Sequence, residues 1–134
     1  MSLTDEMEAE LLRQARKVIE RAYAPYSNFN VGAALLTADG TIFTGCNVEC
    51  SASPLGLCAE RAAIGSAVTA GHRDFTAIAI ATQAQLITPP CGACRQFMGE
   101  FSPDMIVLYG NETEVYRTTV SDLLPRMFTP DHLG

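Results

Sequence analysis

Apolar residues recur along the first part of the chain at the three- and four-residue spacing of one helix face. Leu11, Leu12, Ala15, Val18, Ile19 and Ala22 supply that face within Thr4–Tyr23. Thr4 is a candidate N-cap. Glu6, Glu8 and Glu10 precede Arg13, Arg16, Lys17 and Arg21, the charge order a helix dipole favours. Pro25 ends the helix. The pattern then changes. Phe29–Leu36 and Thr41–Val48 read as a β-hairpin turning at Ala38-Asp39-Gly40. Cys58–Ala70 reads as a buried, alanine-rich helix closed by Gly71, and Phe75–Thr82 as a central strand. Cys91–Phe101 predicts another helix, Met105–Tyr109 a buried strand, Glu114–Thr118 a polar edge strand and Ser121–Leu124 a short helical turn. The order αββαβαββ predicts a layered α/β domain with helices on the sheet faces.

Composition narrows the class. At 134 residues, 48% apolar and 18% charged, the chain reads as one globular domain spanning residues 1–134. No apolar run is long enough for a bilayer, and Met1–Leu12 is acidic rather than a basic start followed by an apolar core. A cytoplasmic protein is therefore expected. Five cysteines in such a setting point to metal or catalytic thiols more than to a disulfide framework. The net charge of −6 argues against nucleic-acid polymers and anionic membranes as partners, and permits a small neutral substrate.

The chemistry concentrates in Cys58-Ala59-Glu60-Arg61 and Pro90-Cys91-Gly92-Ala93-Cys94. Both stretches fall at predicted helix starts, where partial positive charge favours thiolates. Cys91 and Cys94 share a helix face at i and i+3. Three thiolate ligands would hold a zinc ion and leave a fourth position for water. A structural zinc site, completed by His72, His132, Cys46 or Cys50, stays open on spacing alone. So do a CxxC redox pair and cysteines that simply pack in the core. Glu60 favours the catalytic reading. A carboxyl among Leu57, Ala59, Ala62, Ala63 and Ile64 would have its pKa raised, which suits a group that takes and gives protons. Arg61 would donate to the thiolates and offset the −1 left by three of them on a divalent ion.

Taken together, Ala24-Pro25-Tyr26-Ser27-Asn28-Phe29, Val31-Gly32-Ala33-Ala34, Gly45-Cys46-Asn47-Val48-Glu49, the two cysteine stretches with Arg95-Gln96, and Leu123-Leu124-Pro125 with Phe128 resemble the cytidine deaminase family. The likeness is to its short, homotetrameric, three-cysteine branch, and it covers nearly the whole chain. It implies a three-layer α/β/α sandwich with a mixed five-stranded sheet. It implies one zinc per chain on Cys58, Cys91 and Cys94, with Glu60 carrying protons. Asn47 and Glu49 would bind the sugar 3′-hydroxyl, Phe29 would lie against the pyrimidine, and the Ala59 N–H would hold the base carbonyl. The Pro89 carbonyl would accept from the leaving amine, and Phe128 would enter a neighbouring subunit's site. The implied reaction is hydrolytic deamination of cytidine and deoxycytidine to uridine and deoxyuridine, with ammonia released at active sites between the subunits of a homotetramer.

The chain departs from the family at Cys50 and Ser53, where Asn and Tyr are usual, and at Pro89, where Ser or Thr is usual. Pro89 still offers a carbonyl, since proline lacks only the N–H. The altered loop keeps a second substrate in view, a related aminopyrimidine nucleoside such as blasticidin S. A non-catalytic, zinc-stabilised interaction module is the reading from another class; it requires a closed four-ligand site.

Overall fold

The computed structural model describes residues 3–133; positions 1, 2 and 134 of the expected 1–134 domain lie outside the described residues. Helix α1 (Asp5–Val18) begins where Thr4 Oγ1 accepts from the Met7 N–H at 3.1 Å. A 3₁₀ turn over Ile19–Arg21 follows, so the α-helix proper stops short of the expected Tyr23. Strands β1 (Val31–Thr37) and β2 (Ile42–Cys46) form the hairpin, with Gly40 at φ 92° in its turn. Helix α2 (Ala59–Thr69), strand β3 (Phe75–Thr82), helix α3 (Gly92–Phe101), strands β4 (Ile106–Gly110) and β5 (Val115–Thr119) and the short α4 (Val120–Leu123) complete the expected order. A C-terminal 3₁₀ turn over Pro130–Leu133 was not expected.

The five strands form one sheet in the order β2-β1-β3-β4-β5. Only β3 and β4 run parallel; the other pairs are antiparallel, so the sheet is mixed. Alternation along the strands sorts side chains onto two faces. Ala34, Leu36, Ala77, Ala79 and Ala81 meet Leu11, Ala15 and Ile19 of the α1 segment. Ala33, Leu35, Ile78, Ile80 and Val107 meet Ala63, Ile64 and Ala67 of α2 and Cys94 and Met98 of α3. The result is a three-layer α/β/α sandwich.

Two glycines let the helices approach. A Cβ on Gly32 would stand 2.0 Å from the Ala15 carbonyl oxygen of α1. A Cβ on Gly45 would stand 2.5 Å from both the Ala59 carbonyl oxygen and the Ala63 nitrogen of α2. Gly45 therefore sets how closely the first turn of α2, which carries Glu60, lies on the sheet. Within the hairpin, β1 begins two residues later than the alternation suggests and β2 ends two residues earlier. Past β2, the Asn47 N–H still donates to the Val31 carbonyl at 3.3 Å, but its own carbonyl accepts from the Tyr23 N–H at 2.9 Å and its side-chain Oδ1 accepts from the Val31 N–H at 2.8 Å.

Candidate active site

Cys58 is the N-cap of α2 and Cys91 the N-cap of α3, and neither side chain makes a capping hydrogen bond. Cys94 lies one turn into α3 and is buried. The three sulfurs come within 4.8 Å of one another. Two helix N-termini thus converge on a shared point, each adding partial positive charge where thiolates would form. Arg95 braces the second stretch, its Nε donating to the Pro90 carbonyl at 2.8 Å and Nη1 to the Leu123 carbonyl at 2.8 Å.

The sulfurs share their charge unequally. A hydrogen bond from Cys94, with a further contribution from Arg61, brings the Cys58 thiol down to about 5. That bond to Cys58 and burial push Cys94 far upward. Arg61 Nη2 lies 3.5 Å from Cys58 Sγ and 3.3 Å from the Gly56 carbonyl oxygen. Arg61 Nε is buried with no acceptor among the described residues. A partly unmatched guanidinium is unfavourable unless negative charge lies close. Three sulfurs ionised on a divalent cation would supply that charge. The donor set fits zinc: three clustered thiols and a compensating arginine beside them.

Glu60, in the first turn of α2, is 5% exposed. Desolvation raises its pKa above the ordinary carboxylate value, and the charge on Cys58 adds to the rise. Together with Cys58, Ala59 and Cys91 it lines a cavity of about 190 Å³. Phe29, Val31, Asn47, Ile80, Thr82, Thr88, Pro89 and Pro90 complete its lining. The volume suits one heterocyclic ring. Ile80, Thr82 and Thr88 were not singled out from the sequence. The signal for Thr82 was a polar residue closing the apolar run Ala77–Ala81.

The remaining candidates divide. Asn47 Nδ2 donates to the Phe29 carbonyl at 2.8 Å, which holds the amide at the cavity edge. Glu49 does not line this cavity; it faces an adjoining hollow beside Tyr26 and Cys50. Its Oε1 accepts from the N–H groups of Tyr26 at 3.0 Å and Ser27 at 3.2 Å, and its Oε2 from the Ser27 hydroxyl. The Ser27 hydroxyl leads these bonds in holding Glu49 below the usual carboxylate range. Arg61 faces the α2–α3 side, away from the cavity. Phe128 stands apart at 55% exposure, stacked on His132, with its carbonyl accepting from Gln96 Nε2 at 2.7 Å.

Proteins similar to this chain in sequence and shape include cytidine deaminases. The cytidine deaminase of Sporosarcina psychrophila is 44% identical over 127 residues, 93% of each chain. The crystal structure of cytidine deaminase from Burkholderia pseudomallei is 46% identical, with a TM-score of 0.87 over 94% of this chain and 100% of that one. The blasticidin-S deaminase of Bacillus cereus is more distant, 31% identical over 132 residues, covering 92% of this chain and 94% of its own. The sequence profile of the cytidine and deoxycytidylate deaminase zinc-binding region matches residues 5–110. Three thiols at two helix starts, a buried carboxyl beside them and this match agree, and the chain belongs to the cytidine and deoxycytidylate deaminase zinc-binding family.

Proposed function

We propose that this chain is a zinc-dependent cytidine deaminase that converts cytidine and deoxycytidine to uridine and deoxyuridine with release of ammonia. The observation that carries the reading is Glu60, a buried carboxyl of raised pKa sharing a cavity wall with clustered thiols. Cys58, Cys91 and Cys94 would hold the metal. Zinc held there supplies a Lewis acid that brings a water's pKa toward about 7.

The protein's own groups account for the rest. Glu60 takes a proton from the attacking water and gives it to N3 of the pyrimidine, which makes C4 electrophilic. Oxygen adds to C4, Glu60 carries the remaining proton of the added hydroxyl to the exocyclic amine, and the C4–N bond breaks as ammonia leaves. The sum is nucleoside plus water giving the uracil nucleoside plus ammonia. The Ala59 N–H, at the start of α2, is suited to the base carbonyl, and the Pro89 carbonyl to the departing amine. Phe29 provides an apolar face for the ring, and Asn47 and Glu49 offer both donor and acceptor to a 3′-hydroxyl. Arg61 offsets the thiolate charge.

The 1–134 chain is proposed to act as a single domain within a homotetramer. The exposure of Leu57 and Phe97 on the α2–α3 side, and of Phe128 away from its own cavity, supports subunits meeting there. A cytoplasmic location accords with this reading; among the described residues no helix is long and apolar enough to cross a membrane.

The test is ammonia release from cytidine, deoxycytidine, cytosine and blasticidin S side by side. The two nucleosides should be turned over far faster than the others. Preference for blasticidin S would replace the substrate, and no release from any of the four would overturn the activity.

A further inference from the structure

We propose that Ser27 is a positioning residue for sugar recognition, locking the Glu49 carboxylate to the cavity wall that carries Phe29. The inference rests on the proposed role of Glu49 at the sugar 3′-hydroxyl. Ser27 lies in an exposed turn and touches neither the cavity nor the thiols. Its hydroxyl nevertheless has two partners pointing in different directions. The O–H donates to Glu49 Oε2, and the oxygen accepts from the Phe29 N–H at 3.0 Å. A serine hydroxyl has one proton and two lone pairs, so one donated and one accepted bond define its orientation.

The local backbone explains how the hydroxyl reaches both partners. Asn28, between Ser27 and Phe29, adopts φ 57°, a left-handed conformation that asparagine tolerates better than most residues. Its N–H donates to the Ala24 carbonyl at 2.9 Å, which closes the turn. Phe29 is then gripped on both sides. Its N–H goes to Ser27, and its carbonyl accepts from Asn47 Nδ2 at 2.8 Å. Glu49, Ser27, Phe29 and Asn47 form one continuous hydrogen-bonded chain across two loops.

A glutamate at the end of an exposed loop otherwise samples several rotamers and must give up that freedom on binding. Here Oε1 already has two N–H donors, whereas Oε2 has only the Ser27 hydroxyl. Oε2 is left with acceptor capacity for one further hydroxyl. The Ser27 bond therefore does two things. It preorganises the carboxylate, and it fixes the spacing between the sugar acceptor and the aromatic wall for the base.

Deoxycytidine and 2′,3′-dideoxycytidine differ only at the 3′-hydroxyl and separate this role from a general structural one. With Ser27→Ala, kcat/KM for deoxycytidine should fall roughly 10-fold, mostly through KM. The dideoxynucleoside, measured as substrate or competitive inhibitor, should change less than twofold. Ser27→Thr retains the hydroxyl and should restore most of the loss. Glu49→Ala, assayed in parallel, should discriminate the same two compounds at least as strongly. If Glu49→Ala weakens both compounds alike, the sugar reading itself falls, and this inference with it. If Glu49→Ala discriminates but Ser27→Ala affects both compounds alike, or neither, the positioning role alone is overturned. Failure of Ser27→Thr to restore discrimination in a folded protein overturns it as well.

Discussion

At the thiol end of the cavity Glu60 is 5% exposed, in a helix turn pressed against β2 through Gly45. On the loop side of the same lining Phe29 is 38% exposed, held by side-chain bonds from Ser27 and Asn47. The first end takes its chemistry from burial. Desolvation raises Glu60, and crowding makes one sulfur acidic and its neighbour reluctant to ionise. The second end takes its order from hydrogen bonds among exposed groups, which hold Glu49 ionised. Bond-making groups need a low-dielectric site tied to the core, whereas groups that only recognise a solvated sugar can sit on loops. Damage to the thiol end should therefore appear in kcat, and damage to the loop end in KM.

The largest effect is expected for Glu60→Gln. It keeps size and hydrogen-bonding capacity but cannot carry protons, so kcat should fall roughly 10²–10⁴-fold with zinc retained. Steady-state kinetics with metal analysis on the same sample checks this. A variant with near-native kcat would remove Glu60 from the role.

Metal removal probes the same end through stability. Chelation should abolish ammonia release and lower the thermal midpoint, with both recovered on adding zinc. Zinc uptake near pH 7 should also release at least one proton per ion, because Cys94 is held protonated in the metal-free cluster. Calorimetry in buffers of different ionisation enthalpy measures this count. A count of zero would contradict the unequal sharing of charge among the sulfurs.

Gly45→Ala tests whether core packing sets the thiol end. The added methyl meets the α2 backbone at 2.5 Å, which should cost about 1–3 kcal/mol of stability in denaturant unfolding. It should also lower kcat more than it raises KM. A stable variant showing only a KM change would mean that the position of α2 does not govern Glu60.

The smallest effect concerns pH at the loop end. The folded-state pKa of Glu49 lies below its ordinary 4.5, so its contribution is present above that value and is lost as pH falls through the depressed one. The KM ratio of deoxycytidine to its dideoxy analogue should stay flat from pH 8 to pH 5. In Ser27→Ala the carboxyl returns toward 4.5, and the ratio should begin to change at higher pH than in the wild type. Identical profiles would separate Ser27 from the ionisation of Glu49.

Much of this molecule could be read before any coordinates. The helix of α1, its Thr4 cap, the hairpin turn at Asp39-Gly40 and the apolar strands β3 and β4 follow from local periodicity and turn chemistry, which act over a few residues. Cys58, Cys91 and Cys94 were conspicuous by their spacing at predicted helix starts, and Glu60 because an acid in an apolar helix is costly unless used. Strand ends were less legible. The Asn47 side-chain oxygen replaces its backbone carbonyl as the acceptor for Val31, and β2 ends at Cys46, an effect invisible to alternation.

By itself the sequence determined the order of elements, the ligand chemistry and the identity of the buried acid, since these depend on residue type and near neighbours. Tertiary structure alone decided that two helix starts separated by a strand would bring three sulfurs within 4.8 Å. It also decided that Gly45 would seat α2 on the sheet, that Glu49 would line the hollow beside Tyr26 and Cys50, and that Ser27 would connect it to Phe29. Each of these depends on the packing of segments distant in sequence, or on the path of a loop. Both are set by which surfaces the whole chain can bury together, and no local pattern records that.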